Sequence, residues 1–171
     1  GIIANDWYVR RLGKTVYCAE DSTVSAVGGR EKSGKISPRN MLTTTITDEL
    51  MFATGKRSKI VGIAIKDRGA ALPAGHLGED YWYDGGTGEF MTSSYYMESL
   101  PEWVVEFNKK ELPKKYLSQK WEPLFPIETY VQSTVDDNEF EAPFIGMEGT
   151  AFPYDLADLM EHNGGLGLIS S

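Results

Sequence analysis

The residues best suited to chemistry are Lys66, Asp67 and Arg68, which follow a short apolar run from Ile60 to Ile65. Lys66 and Arg68 alternate with Asp67, so in extended backbone the two cations point to one side and the carboxylate to the other. A lysine brings a point charge and an arginine a planar fork of donors; aligned on a rigid strand end, they fit an anion such as phosphate. In open α/β sheets ligands bind beyond the carboxyl ends of the strands, which is where this pair stands. The plainer alternative is a pair of solvated strand-end charges. Other patterns begin a site without completing one. Gly29 to Lys35 has the GxxxxGK spacing of a phosphate loop, but Ile36 stands where the magnesium-binding Ser or Thr belongs, so a surface loop is expected. The acidic run from Asp136 to Glu141 does not fit a calcium loop, because Phe140 replaces a ligand and the turn glycine is missing. A zinc centre needs converging ligands, whereas His76, His162 and Cys18 are scattered; no metal site is visible. His76, despite a ligand-like spacing to Asp80, reads as a hydrogen-bonding structural histidine, and Cys18 reads as packing.

The elements that must position Lys66 and Arg68 follow from the surrounding pattern. The apolar run predicts an inner strand over 59–65, buried on both faces of a parallel or mixed sheet. Gly69 and the segment from Pro73 to Gly75 predict loop after it. Upstream, Ser37 and Pro38 read as N-cap and first turn of a helix. Met41, Leu42, Ile46, Leu50 and Ala53 recur at helical spacing up to Gly55, enclosing Thr43, Thr44 and Thr45. Helix followed by buried strand is half of an α/β layer. Lys14 to Cys18 and Thr23 to Val27 predict a pair of short strands. Tyr81 to Asp84 and Glu89 to Thr92, around Gly85 to Gly88, predict an aromatic β-hairpin forming a lid or wall near Lys66. Ser99 to Glu102 has the form of a capping box, opening a helix with Trp103, Val104, Phe107 and Leu112 inward. Residues 116–152 read as irregular, and Pro153 opens a short helix through Leu156, Leu159 and Met160 that stops at Gly164 and Gly165.

At 171 residues, with 41% hydrophobic and 25% charged residues, the chain is expected to form a single domain over 1–171. A net charge of −8 repels a phosphate backbone, so nucleic acid is not expected as a partner. No apolar run is long enough to predict a membrane span. The opening GIIANDWY has neither Met nor a signal-like region, and the closing GGLGLISS turns into an apolar run like the start of a strand; a piece of a longer protein is expected.

Several ordered segments carry a likeness: GIIANDWY, SPRNMLTTTITDEL, KDRGAALPAGH, YWYDGGTGEFMTSSYY, LPEWVVEFN and the closing FPYDL with NGGLGLI. Together they resemble the phosphate-irrepressible alkaline phosphatases, the threonine-nucleophile branch of the alkaline phosphatase and nucleotide pyrophosphatase/phosphodiesterase superfamily. The likeness runs the length of the chain but covers only an interior section of such an enzyme, well under half. It implies an α/β fold and a two-zinc phosphomonoesterase working through a phosphothreonine intermediate. The nucleophile and the zinc ligands would lie outside this chain, so the chain alone is expected to be inactive. The resemblance also implies that Asn5, Lys66 and Arg68 bind the non-bridging phosphoryl oxygens. Ala4 precedes Asn5 where glycine is common. Small phosphate esters and the remainder of the catalytic domain are the implied partners, and a periplasmic or secreted location is implied as well. A type I phosphodiesterase or nucleotide pyrophosphatase is the runner-up, and a non-catalytic inserted binding module is a third reading.

Overall fold

The computed structural model describes residues 4–170, so the first three residues of the family-like opening lie outside the described residues. The chain starts with an antiparallel hairpin, β1 (Asp6–Val9) and β2 (Lys14–Tyr17), in which Asp6 stands opposite Tyr17. Gly13 closes its turn at a φ of +63°, a left-handed conformation that only glycine adopts without strain.

The main sheet is built from β3 (Ala26–Val27), β4 (Val61–Ala64), β5 (Glu79–Asp84) and β6 (Glu89–Ser93), in the order β3-β6-β5-β4. β5 and β6 form the expected antiparallel hairpin, with Trp82 opposite Met91. It lies at the centre of the sheet rather than beside it as a lid, because Tyr81, Trp82, Tyr83 and Met91 are buried and carry the core. Fully burying a side chain of this size stabilises the fold by about 1.5–3 kcal/mol. The segments around Lys14 and Thr23 do contain strands, but these do not pair with each other: β2 pairs with β1 and β3 with β6.

β4 pairs in parallel with β5, Gly62 opposite Asp80, and the connection between them is α2 (Asp67–Ala74). This corrects the expected loop. Gly69 and Pro73 weaken the helix on propensity alone. Packing restores it, because Ala70, Ala71 and Ala74 present a flat, buried face to the sheet. Opposite them, Gly62 leaves no room for even a methyl group: a Cβ there would lie 2.2 Å from Asp80 Oδ1 and 2.9 Å from the Ala74 Cβ.

The strand from 61 to 64 is therefore found, but among the described residues it is the edge of the sheet, not an inner strand. Val61 and Ile63 are more than half exposed. The long helix predicted from Pro38 is also divided. A 3-10 turn, Pro38–Asn40, is capped by Ser37 Oγ accepting from the Arg39 N–H. α1 (Ile46–Ala53) starts afresh at Thr45. Thr45 and Asp48 form a reciprocal capping box, and three consecutive β-branched threonines resist helix before it.

On the far side of the sheet α3 (Glu102–Asn108) buries Val104. It is preceded by Pro101 at the N-cap with no side-chain cap, so the predicted capping box does not form. α4 (Leu112–Leu117), the short pair β7 (Lys120–Trp121) and β8 (Tyr154–Asp155), and α5 (Leu156–His162) follow. Leu117, Tyr154, Leu159 and Leu168 form a second hydrophobic cluster, apart from the one around Cys18, Ile36, Ala71, Trp82 and Met91. The closing apolar run is a 3-10 helix, Gly165–Ser170, not a strand.

Candidate functional site

The junction between β4 and α2 gathers the residues singled out from sequence. Lys66 is the exposed N-cap of α2 in extended backbone (φ −95°, ψ 134°), and Arg68 lies in its first turn. The alternation that would align the two side chains along a strand therefore does not apply. Their common placement is instead the start of one helix, where exposed N–H groups and the helix dipole favour an anion. Part of that capacity is used internally, since the Asp67 carboxylate accepts the backbone N–H of Arg68. The side chains of Lys66 and Arg68, more than the backbone, bring positive charge to this helix start.

Asn5 immediately precedes β1, and its carbonyl accepts the Cys18 N–H at 2.7 Å. The next residue toward the hairpin turn from Cys18 is Tyr17, which reaches across to α2. Its hydroxyl donates to Asp67 Oδ1 at 2.5 Å and accepts from Arg68 Nη1 at 3.3 Å. The hairpin that carries Asn5 and the helix that carries Arg68 thus meet at Tyr17. Partial burial and the bond to Asp67 raise the pKa of this phenol, with the Arg68 guanidinium pulling the other way. The Tyr17 bond in turn raises the pKa of Arg68. The site is consequently a neutral phenol joining a carboxylate to a guanidinium. Sequence reasoning named Asn5 and Arg68 but not Tyr17, because a tyrosine at a strand end carries no local sign of a partner 51 residues away.

The remaining candidates are structural. His76 Nε2 lies 3.2 Å from the Thr43 carbonyl oxygen, and its backbone N–H donates to Asp48. Cys18 is buried in the core, and burial raises its thiol pKa. The loop with phosphate-loop spacing is held shut by Asp84, which accepts from the Arg30 N–H, the Arg30 guanidinium and Ser33 Oγ. In the acidic run, Asp137 accepts from Thr150 Oγ1 and Asp136 from the Phe152 N–H. Among the described residues no three His, Cys, Asp or Glu side chains converge as metal ligands, so they do not fit a zinc centre.

No family model matches the chain. It is 50% identical over 155 residues to the alkaline phosphatase PhoV of Synechococcus elongatus, covering 90% of this chain and 28% of the relative. It is 46% identical over 169 residues to the alkaline phosphatase PafA of Elizabethkingia meningoseptica, covering 97% and 31%. A protein of Myroides odoratus named calcium-transporting ATPase is 50% identical over 165 residues, covering 96% and 30%. The crystal structure of wild-type PafA superposes with a TM-score of 0.86 at 42% identity, over 95% of this chain and 32% of PafA. A PafA variant with a threonine changed to serine and an asparagine, a lysine and an arginine each changed to alanine superposes with a TM-score of 0.88 at 41% identity, over 98% of this chain and 33% of that one. The chain spans about 30% of the length of the curated relatives it matches. Agreement in sequence and fold along nearly all of its residues makes this chain a member of the PafA and PhoV alkaline phosphatase family, corresponding to about a third of such a protein.

Proposed function

We propose that this chain is the phosphoryl-binding section of a zinc-dependent alkaline phosphatase that hydrolyses phosphate monoesters through a phosphothreonine intermediate. The observation that carries the reading is the placement of Arg68 at the β4–α2 junction, joined through Tyr17 to the hairpin that carries Asn5. Asn5 would donate its amide, and Lys66 and Arg68 their charged N–H groups, to the non-bridging phosphoryl oxygens. A monoester carries about one more negative charge than a diester, so two cations there favour the monoester as charge gathers in the transition state. The PafA variant gives independent support. Its substituted lysine and arginine are two positions apart, as Lys66 and Arg68 are, and its asparagine stands 62 positions ahead of the lysine. Asn5 stands 61 ahead of Lys66. The threonine changed in that variant lies 21 positions before the asparagine, upstream of anything this chain could align to it. The nucleophile and the two zinc ions would accordingly be held by residues outside this chain, and the parent would be periplasmic or secreted.

The test is substitution in the intact parent enzyme. Lys66→Ala or Arg68→Ala is expected to lower kcat/KM for an aryl phosphate by about ten- to a thousandfold, and for a matched diester by much less. Equal and small losses for both substrates would show the two cations to be solvated charges. A parent that hydrolyses the diester faster than the monoester would favour the phosphodiesterase or pyrophosphatase reading.

A further inference from the structure

Tyr17 stands apart from every other polar side chain in the hairpin, because its hydroxyl bonds to both of the neighbouring residues Asp67 and Arg68 at the start of α2. A phenolic hydroxyl has one proton to give and lone pairs to receive with. Its proton goes to Asp67 Oδ1 at 2.5 Å, which turns a lone pair toward Arg68 Nη1 at 3.3 Å. The same Asp67 oxygen also accepts the Arg68 backbone N–H. The guanidinium is therefore held at one of its terminal nitrogens by a closed loop of Tyr17, Asp67 and the Arg68 backbone, leaving its other donors for a ligand.

We propose that Tyr17 is a positioning residue for Arg68: its hydroxyl fixes the guanidinium in the orientation that binds the phosphoryl group and ties that orientation to the hairpin carrying Asn5. This inference rests on the reading of Arg68 as a phosphoryl contact. The connection is short. Cys18, next to Tyr17, donates its N–H to the Asn5 carbonyl, and Asp6, next to Asn5, is the strand partner of Tyr17. A shift of the hairpin would carry Asn5 and Tyr17 together and drag Arg68 with them. The raised pKa of the phenol keeps its proton in place at alkaline pH, where an ordinary tyrosine begins to ionise and would stop donating to Asp67.

A double-substitution cycle in the intact enzyme tests this, using Tyr17→Phe, which keeps the ring, Arg68→Ala and both together. Tyr17→Phe is expected to lower monoester kcat/KM about tenfold, the scale of one hydrogen bond to a charged group, and diester kcat/KM far less. In the Arg68→Ala background it should have no further effect, because there is no guanidinium left to position. A Tyr17→Phe loss that is the same in both backgrounds, or the same for both substrates, overturns the proposal and makes Tyr17 a general structural residue. If Arg68→Ala itself leaves monoester turnover intact, the phosphoryl-contact reading fails instead. The positioning role is then judged from the crystal structure of Tyr17→Phe: a displaced guanidinium upholds it, and an unmoved one overturns it.

Discussion

Asp80 and Asp84 lie four residues apart on β5, both sealed from solvent, and their environments push them in opposite directions. Burial raises the Asp80 pKa to about 7, while the Tyr96 hydroxyl and the Gly62 backbone pull it down without reaching full hydrogen-bond geometry. For Asp84 burial acts the same way, but the Arg30 guanidinium and the N–H groups of Arg30 and Gly86 more than offset it and hold the carboxyl at about 2. The linkage follows from these shifts. Asp84, with a depressed folded pKa, contributes stability above pH 4 or so that is lost as the pH falls toward 2. Asp80 has a raised folded pKa. Its contribution is complete below its unfolded value near 4 and is lost as the pH rises through 7, a change on the order of 4 kcal/mol. Melting temperature should therefore fall between pH 4 and pH 7, and Asp80→Asn should flatten that slope; an unchanged slope in the variant would show that Asp80 is not the group responsible. Neither burial is marked in the sequence, where Asp80 stands out only by its spacing to His76 and both look like ordinary acidic residues in an aromatic stretch. Whether a carboxylate is buried beside Gly62 or beside Arg30 is decided by strand register, which the local sequence does not encode.

At the scale of elements, the position of α2 decides where Lys66 and Arg68 stand, and Gly62 decides the position of α2. Gly62→Ala would drive a methyl into Asp80 Oδ1 at 2.2 Å and the Ala70 carbonyl at 2.9 Å, lifting the helix off the sheet. The expected cost is about 1–3 kcal/mol in denaturant unfolding, with a loss of monoester activity in the parent as the helix start shifts. Gly69→Ala is the control. Its added Cβ meets only the Ala64 Cβ at 3.3 Å, so it should stay within about 1 kcal/mol of the native sequence. If both variants unfolded alike, the close approach at Gly62 would not be what seats the helix. Strand 61–64 was legible because an unbroken apolar run has few other readings, and the β5–β6 hairpin because aromatic segments flank a glycine-rich turn. Helix α2 was not, since its Gly69 and Pro73 read as punctuation while its holding force comes from three alanines packing on residues of β4 and β5. The long helix from Pro38 was over-read for the converse reason. Apolar residues at helical spacing continue through the threonines, although Leu42 and Ile46 are almost fully exposed and Thr45 begins α1 as its cap.

At the scale of the whole molecule, the apolar side chains of the described residues form two buried clusters, and many others stay exposed, two groups of them beside the sheet and along α1. On one face, Val61, Ile63 and Ile65 line the free edge of β4. Beside it, Tyr81, Phe90, Trp103, Val104 and Phe107 complete with Ile63 an apolar cavity of about 180 Å³. On the other, Leu42, Ile46, Leu50 and Phe52 stand out along and just before α1. An unpaired strand edge with aliphatic side chains is a template for another strand, and apolar patches of this kind are normally covered. The chain spans about 30% of its curated relatives, and the remainder of the catalytic domain is the proposed cover for these faces in the parent. The 171-residue chain on its own should therefore bind a hydrophobic dye at neutral pH and self-associate, its net charge of −8 opposing but not preventing contact at the β4 edge. Ile63→Lys places a charge on that edge at a residue that is 57% exposed, so it should restore the 19.0 kDa monomer and reduce dye binding. A native chain that is already monomeric and dye-silent would show that the edge is protected within these residues. The same preparation, supplied with zinc and an aryl phosphate, should turn over no faster than buffer, and activity that survives repurification would place a nucleophile within this chain after all.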